Sequence, residues 1–407
     1  MKNIIKFLSS SRQTATSILL SLCLVVSFIL APGASASQKR LGVWVSVFTP
    51  EKVMYSKQNT DKLIQFCTKC GINEIYIQVY RADKAYYNSS LTDKYGYSQM
   101  TKSMGTDPLQ YLISRAKASN IRVYGWLNVF CIADNTNANI IKLYGTGILT
   151  KDQKGRLPYY EKDASDALDK YYIREKQSFL EPGDPRVRKY IVSIVKEIAT
   201  KYPDLAGLHL DYVRYPYVIP FGLGSIFDTH TLSYGFTPAN LENFAKTTGI
   251  PAKHVYADRS TCKKWDEWRR DQVTRMVHEI SNAAKTISPS YEISCTIAPS
   301  IERTYTVTFQ DWTTWLQKGY ADYVMVMNYT EEPAFSELRA KSMLLPGINK
   351  QVCFGIGAHL LKSSPGIFEK EFDDIDGLSC RGAAIFSYDD LITNKELTDF
   401  LAERAHN

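Results

Sequence analysis

DPRVRKYIVSIVKEIATKYPDLAGLHLDYV, Asp184 to Val213, reads as an amphipathic helix opened by Asp-Pro, then a turn, then a strand in which Leu208 and Leu210 alternate with His209 and Asp211. The same pairing recurs in both directions along the chain. Strand candidates are GVWVSVF (42–48), EIYIQVY (74–80), IRVYGWLNV (121–129), GLHLDYV (207–213), EISCTIA (292–298), DYVMVMN (322–328), QVCFGIG (351–357) and GAAIFSY (382–388). Between them lie helical segments such as TDKLIQFCTKCG, DPLQYLISRAKASN, WDEWRRDQVTRMVHEISNAAKTI and FQDWTTWLQKGY, and LTDFLAERAH closes the chain. Strands that alternate with helices pair in parallel through right-handed crossovers, and eight of them close on themselves. The expected fold is therefore α/β, a (β/α)8 TIM barrel. An open doubly wound sheet would carry a Gly-rich phosphate turn after its first strand, where TPEKVMYS stands instead.

Two insertions, Cys131–Pro185 and Tyr217–Cys262, follow the third and fourth strands. They belong to the C-terminal face, where barrel enzymes build their sites, and neither is large or apolar enough to form a second core. Residues 37–407 thus read as one domain with two loops walling a cleft.

At 44% hydrophobic and 22% charged, the 407-residue chain can bury a large core and is not disordered in bulk. The formal charge of +7 includes Lys2, Lys6 and Arg12 at the extreme N-terminus, and what remains is too weak and dispersed for a nucleic-acid footprint. That basic start, an apolar run from Ile18 to Leu30 and the small residues APGASAS predict a signal peptide over residues 1–36, cleaved after Ala36. The run is shorter than the roughly 20 residues of a spanning helix, so the expectation is a secreted or envelope protein with no stable membrane span after cleavage. Cys67, Cys70, Cys131, Cys262, Cys295, Cys353 and Cys380 remain in the mature chain, an odd and dispersed set. The CxxC at Cys67 and Cys70 lacks a second half for a zinc site, and no chemistry, metal or cofactor is assigned to it.

Alternation sends every second strand residue to the barrel axis. On that rule Trp44 and Ser46, then Tyr76, Gln78 and Tyr80, Trp126 and Asn128, His209 and Asp211, Asn328, and finally Ser387 and Asp389 are expected to face inward. Polar groups then gather toward the strand ends as a catalytic mouth. A buried, unpaired carboxylate at Asp211 would cost several kcal/mol, roughly, so it needs a partner or a function. Read alone, His209 is a satisfied interior histidine, and the Trp and Tyr residues are core aromatics. Flat amphipathic rings around a cleft are also what sugar rings stack on.

GLHLDYVRYP, Gly207 to Pro216, together with GVWVSVF, INEIYIQVYRADKAYYNS, the segment ending in Trp126 and Asn128, and the long WDEWRRDQVTRMVHEI helix, resembles the glycosyl-hydrolase-like family 10 over nearly the whole mature chain. The resemblance implies a secreted TIM barrel acting on a polysaccharide or oligosaccharide without a cofactor. Relatives often place a second Asp where this chain has Tyr212, and Pro-Tyr-Arg where it has Val129, Phe130 and Cys131. MNYTEE, after the sixth strand, is similar to segments of related barrels that set a Glu shortly after a Tyr, which points to Glu331 over Glu332.

Glycosidic cleavage takes two carboxyl groups, one giving a proton and one ionised. The expected pair is Asp211 in the ionised role and Glu331 as acid, with Asp83, Glu302 and Asp389 as other candidates for the second group. Trp44, Gln78, Arg81, Trp126, Asn128, His209, Arg214, Tyr215, Asn328, Tyr329 and Asp389 are expected to bind substrate. The alternatives are a non-catalytic carbohydrate-binding barrel at the cell surface and a lyase. No GxSxG turn follows a strand, which disfavours a serine hydrolase.

Overall fold

Several helices open where the sequence supplies an acceptor for their first amide groups. Asp107 and Asp184 take the amides of Gln110 and Arg186, each at 2.9 Å, and Pro follows each Asp. The computed structural model describes residues 39–158, 177–217 and 233–406. The expected signal peptide lies outside these residues, as do 159–176 and 218–232 within the two long insertions. Arg40 to Asn407 form one compact unit.

The barrel strands are β1 (Arg40–Val45), β2 (Glu74–Arg81), β3 (Arg122–Asn128), β4 (Gly207–Asp211), β5 (Glu292–Ile297), β6 (Tyr323–Met327), β7 (Val352–Ile356) and β8 (Gly382–Ile385). All pair in parallel with their sequence neighbours, and β1 closes the ring by pairing with both β2 and β8. The TIM barrel expected from the sequence is the fold observed. Outward side chains such as Ile75, Ile77, Leu208 and Leu210 pack under the helices. Trp44, Tyr76, Tyr124, Trp126, Tyr323, Met325, Cys353 and Ala384 fill the axis. Rings of this size fit because Gly42 lacks a side chain; a Cβ there would come within 2.5 Å of the Tyr76 ring.

Two strand ends depart from expectation. In β8 the axial residue is Ala384, so the next inward position is Phe386, not Ser387. Ser387 instead caps the helix Tyr388–Ile392, which carries Asp389 in its first turn. In β6 the axial residues are Tyr323 and Met325, so Asn328 falls on the outer face. A register shift between Gln78 and Tyr80 likewise takes Tyr80 off the axis, and its hydroxyl donates to Asp83 at 2.9 Å.

At the N-terminal end of the barrel, buried Glu74 accepts from Arg381 at 2.7 Å and from the Tyr76 hydroxyl at 2.6 Å, while Glu292 pairs with Arg122 at 2.9 Å. At mid-barrel the Trp44 indole donates to Nε2 of His209 at 3.0 Å, and Nδ1 lies 2.8 Å from Ser294 Oγ. Nε2 accepts, so the ring proton sits on Nδ1 and is given to Ser294. His209 is fully buried and, with no anion beside it, its pKa is pushed down to about 3.

Glu74→Ala leaves Arg381 without its closest carboxylate partner, and urea unfolding should show a loss of about 3 kcal/mol. His209 carries a second expectation. Its pKa is about 3 when folded and 6.5 ordinarily, so the unfolded chain binds the extra proton between those values. Its contribution to stability is complete above pH 6.5 and declines as pH falls toward 3. NMR of the ring should show no titration of this imidazole from pH 5 to 8, about the range in which a free histidine changes charge.

Candidate active site

The mouth is built where β3, β4 and β5 end side by side. Asn128 pairs in register with Asp211, and Trp126 with His209. Asp211, the last residue of β4, accepts at Oδ2 from the Trp126 indole at 3.1 Å and at Oδ1 from Thr296 Oγ1 at 2.7 Å and its neighbour Tyr212 N at 2.8 Å. Asp211 as a residue is partly exposed, while its carboxylate is hemmed in by protein. Burial raises its pKa above the ordinary 3.8; the hydrogen bonds and the charge of Arg214 oppose that rise without cancelling it. A carboxyl group poised in this way can exchange a proton with a bound molecule.

Tyr329 follows β6, and burial first, and then the charge of Asp211, raise the pKa of its hydroxyl. Its ring lies 5.8 Å from Phe386, which also meets Trp44 at 5.9 Å and Trp126 at 6.5 Å. Phe386 thus joins the floor of the mouth to its rim. Trp44 is 1% exposed and Trp126 6%, so neither presents a ring face to a sugar; they support Asp211 and His209 from below.

The remaining expected residues divide. Gln78 and Asn128 form a buried chain in which Ser46 donates to Gln78 at 3.4 Å and Gln78 to Asn128 at 3.3 Å, beside the site. Arg214 is buried and lies 4.0 Å from the Tyr217 ring and 4.8 Å from that of Tyr212. Arg81 covers exposed Phe48 at 4.8 Å. Asp389, partly exposed after β8, accepts from Thr49, and burial raises its pKa. Glu331 is exposed on the loop after β6, and Glu302 is exposed after β5.

Four expected contacts are not brought to the mouth. Asn328 is turned outward, where it donates to Ser336 Oγ at 2.9 Å and accepts from Arg339 at 2.9 Å. Tyr215 is buried behind the rim, and its hydroxyl donates to Glu181 at 2.6 Å. His209 has both ring nitrogens engaged and serves as floor. Asp83 is consumed by the Tyr80, Tyr190 and Thr92 hydroxyls and the amide of Ile140. The seven described cysteines are buried, and burial raises the pKa of the Cys67 and Cys70 thiols, which disfavours the reactive thiolate.

Sequence reading missed Thr296, Phe386 and Glu181. The first two were available from parity, once Ser294 and Ala384 were placed on the axis. Glu181 had no local signal. It is fully buried and accepts from Tyr215, Asn240, Gly183 N and Thr150, binding both long insertions to the barrel. A groove of about 630 Å³ lies between the helices Pro185–Lys201 and Arg259–Ile287, and no residue of the mouth lines it.

Among solved structures, the catalytic domain of β-amylase from Paenibacillus polymyxa superposes with a TM-score of 0.57 at 11% identity, covering 90% of this chain and 98% of that one. The β-galactosidase of Marinomonas ef1 gives 0.56 at 11% identity, over 90% of this chain and 59% of that one. These likenesses concern the barrel fold. In sequence, the chain is 24% identical over 332 residues to the glycosyl hydrolase YngK of Bacillus subtilis (strain 168), covering 75% of this chain and 57% of that protein. It is 24% identical over 284 residues to the glycosyl hydrolase DigH of Escherichia coli (strain K12), covering 64% and 55%. The chain thus spans little more than half the length of the curated relatives it matches. Residues 39–344, well over half of the sequence, match the glycosyl hydrolase-like 10 family, and the chain belongs to it.

Proposed function

We propose that this protein is an exported glycosidase that cleaves a polysaccharide of the envelope or an exopolysaccharide, with Asp211 as the proton-bearing group. The observation that carries the reading is the carboxyl of Asp211, held by Trp126, Thr296 and Tyr212 N at the C-terminal end of β4, in a chain of a glycosyl hydrolase-like family. The direction of its pKa shift favours the acid role for Asp211 in place of the ionised role expected from sequence, and Glu331, exposed on the loop after β6, is the candidate for the second carboxyl group. The three donors around Asp211 hold its two oxygens in a set orientation, so that the proton is presented in one direction. Export rests on the leader-like residues 1–36, which lie outside the described residues.

Incubation of the mature chain with a panel of envelope and exopolysaccharides, followed by reducing-end and product-mass analysis, tests the reading. Asp211→Asn keeps one of the two acceptor oxygens but has no acidic proton to give, and turnover should fall about 10²–10⁴-fold, with thermal unfolding measured alongside to check the fold. The sign of the pH dependence follows from the raised pKa. Activity is present while Asp211 is protonated and declines as pH rises through that value, so the alkaline limb should disappear in the Asn variant. Retained affinity with no turnover in the parent protein would identify a carbohydrate-binding barrel instead.

A further inference from the structure

The residue after Asp211 is held in a backbone conformation that its side chain disfavours. Tyr212 has φ of +52°, the left-handed region, where glycine, asparagine and aspartate are at ease and a bulky ring is not. The neighbouring strand exit clamps the turn: Val129 N donates to Asp211 O at 2.8 Å and Phe130 N to Tyr212 O at 3.3 Å. The left-handed turn lets the Tyr212 amide reach back to Asp211 Oδ1, a task any residue could perform. A ring at this position therefore needs a separate reason.

The surroundings of the ring supply one. Arg214 lies 4.8 Å from the ring of Tyr212 and 4.0 Å from that of Tyr217, while Phe179 lies 5.8 Å from Tyr212. Tyr212 and Tyr217 both stay partly exposed, whereas Arg214 between them is buried. Tyr212 is tied directly to the carboxyl, its amide donating to Asp211 Oδ1 at 2.8 Å, so its partly exposed ring stands next to that group in the chain. An aromatic wall stiffened by a buried guanidinium, beside a proton-bearing carboxyl, matches the apolar C–H face of a pyranose ring. Trp44 and Trp126, nearly closed to solvent, cannot fill that role.

We infer that Tyr212 is a specificity-determining residue whose ring stacks on the sugar bound beside Asp211, and that its backbone strain is retained for this purpose. The inference rests on the glycosidase reading and adds to it the platform that selects the sugar. It is tested by binding, independently of turnover. In the full chain carrying Asp211→Asn, mobility is measured in native gels cast with xylan, glycol chitin, mixed-linkage glucan or soluble bacterial wall glycan, alongside thermal unfolding. Tyr212→Phe should keep the retardation. Tyr212→Ala and Tyr212→Asn should weaken it about tenfold. The Asn variant, relieved of strain, should unfold at an unchanged midpoint or one raised by about 1–2 °C. The inference is overturned by unchanged retardation in the Ala and Asn variants, by a midpoint lowered in the Asn variant, or by no retardation of the parent in any gel. Reducing-end release with Asp211 intact separates the two claims. Tyr212-dependent binding without turnover removes only the hydrolase reading, and Asp211-dependent turnover with Tyr212-independent binding removes only this one.

Discussion

A closed eight-stranded ring has one interior, and every polar atom placed there must find its partner inside it. This barrel fills its axis with large aromatic rings, and their indole and hydroxyl groups become the donors that satisfy the buried acceptors. Trp44 serves His209, Trp126 serves Asp211 and Tyr76 serves Glu74. Buried polar groups left unpaired would cost about 1–3 kcal/mol each, so the interior behaves as a linked set in which a ring's position is also a hydrogen-bond position.

The axis is graded from end to end. At the N-terminal end Glu74 and Glu292 meet Arg40, Arg122 and Arg381, and opposite charges neutralise one another. At mid-barrel His209 is neutral and fully engaged. At the C-terminal end Asp211 has three neutral donors and a raised pKa. The carboxylates at the N-terminal end are in ion pairs with arginines, while Asp211 accepts hydrogen bonds from neutral donors, and burial outweighs the opposing charge of Arg214, so its proton affinity is raised.

The loops above the strands are tied down by a separate device. Glu181 gathers Thr150, Gly183, Tyr215 and Asn240, residues drawn from both long insertions and from the exit of β4. Tyr215 is held from behind in this way, and it lies next to Arg214, which stiffens the Tyr212 and Tyr217 wall. The bonds to Glu181 thus hold the described parts of both insertions against the exit of β4.

The sequence by itself determined the barrel, its strand order and the axial placement of Trp44, Gln78, Trp126, His209 and Asp211, because alternation and helix caps are local properties of the chain. It misplaced Asn328 and Ser387, where the inward parity is set by Met325 and Ala384 and is visible only once the ring has closed. It had no means to show that Trp44 is nearly closed to solvent, that Glu181 binds the insertions, or that burial raises the proton affinity of Asp211. Those properties depend on burial and on partners more than thirty residues apart in the chain, such as Trp126 and Asp211 or Glu181 and Tyr215, and only the folded arrangement brings them into contact.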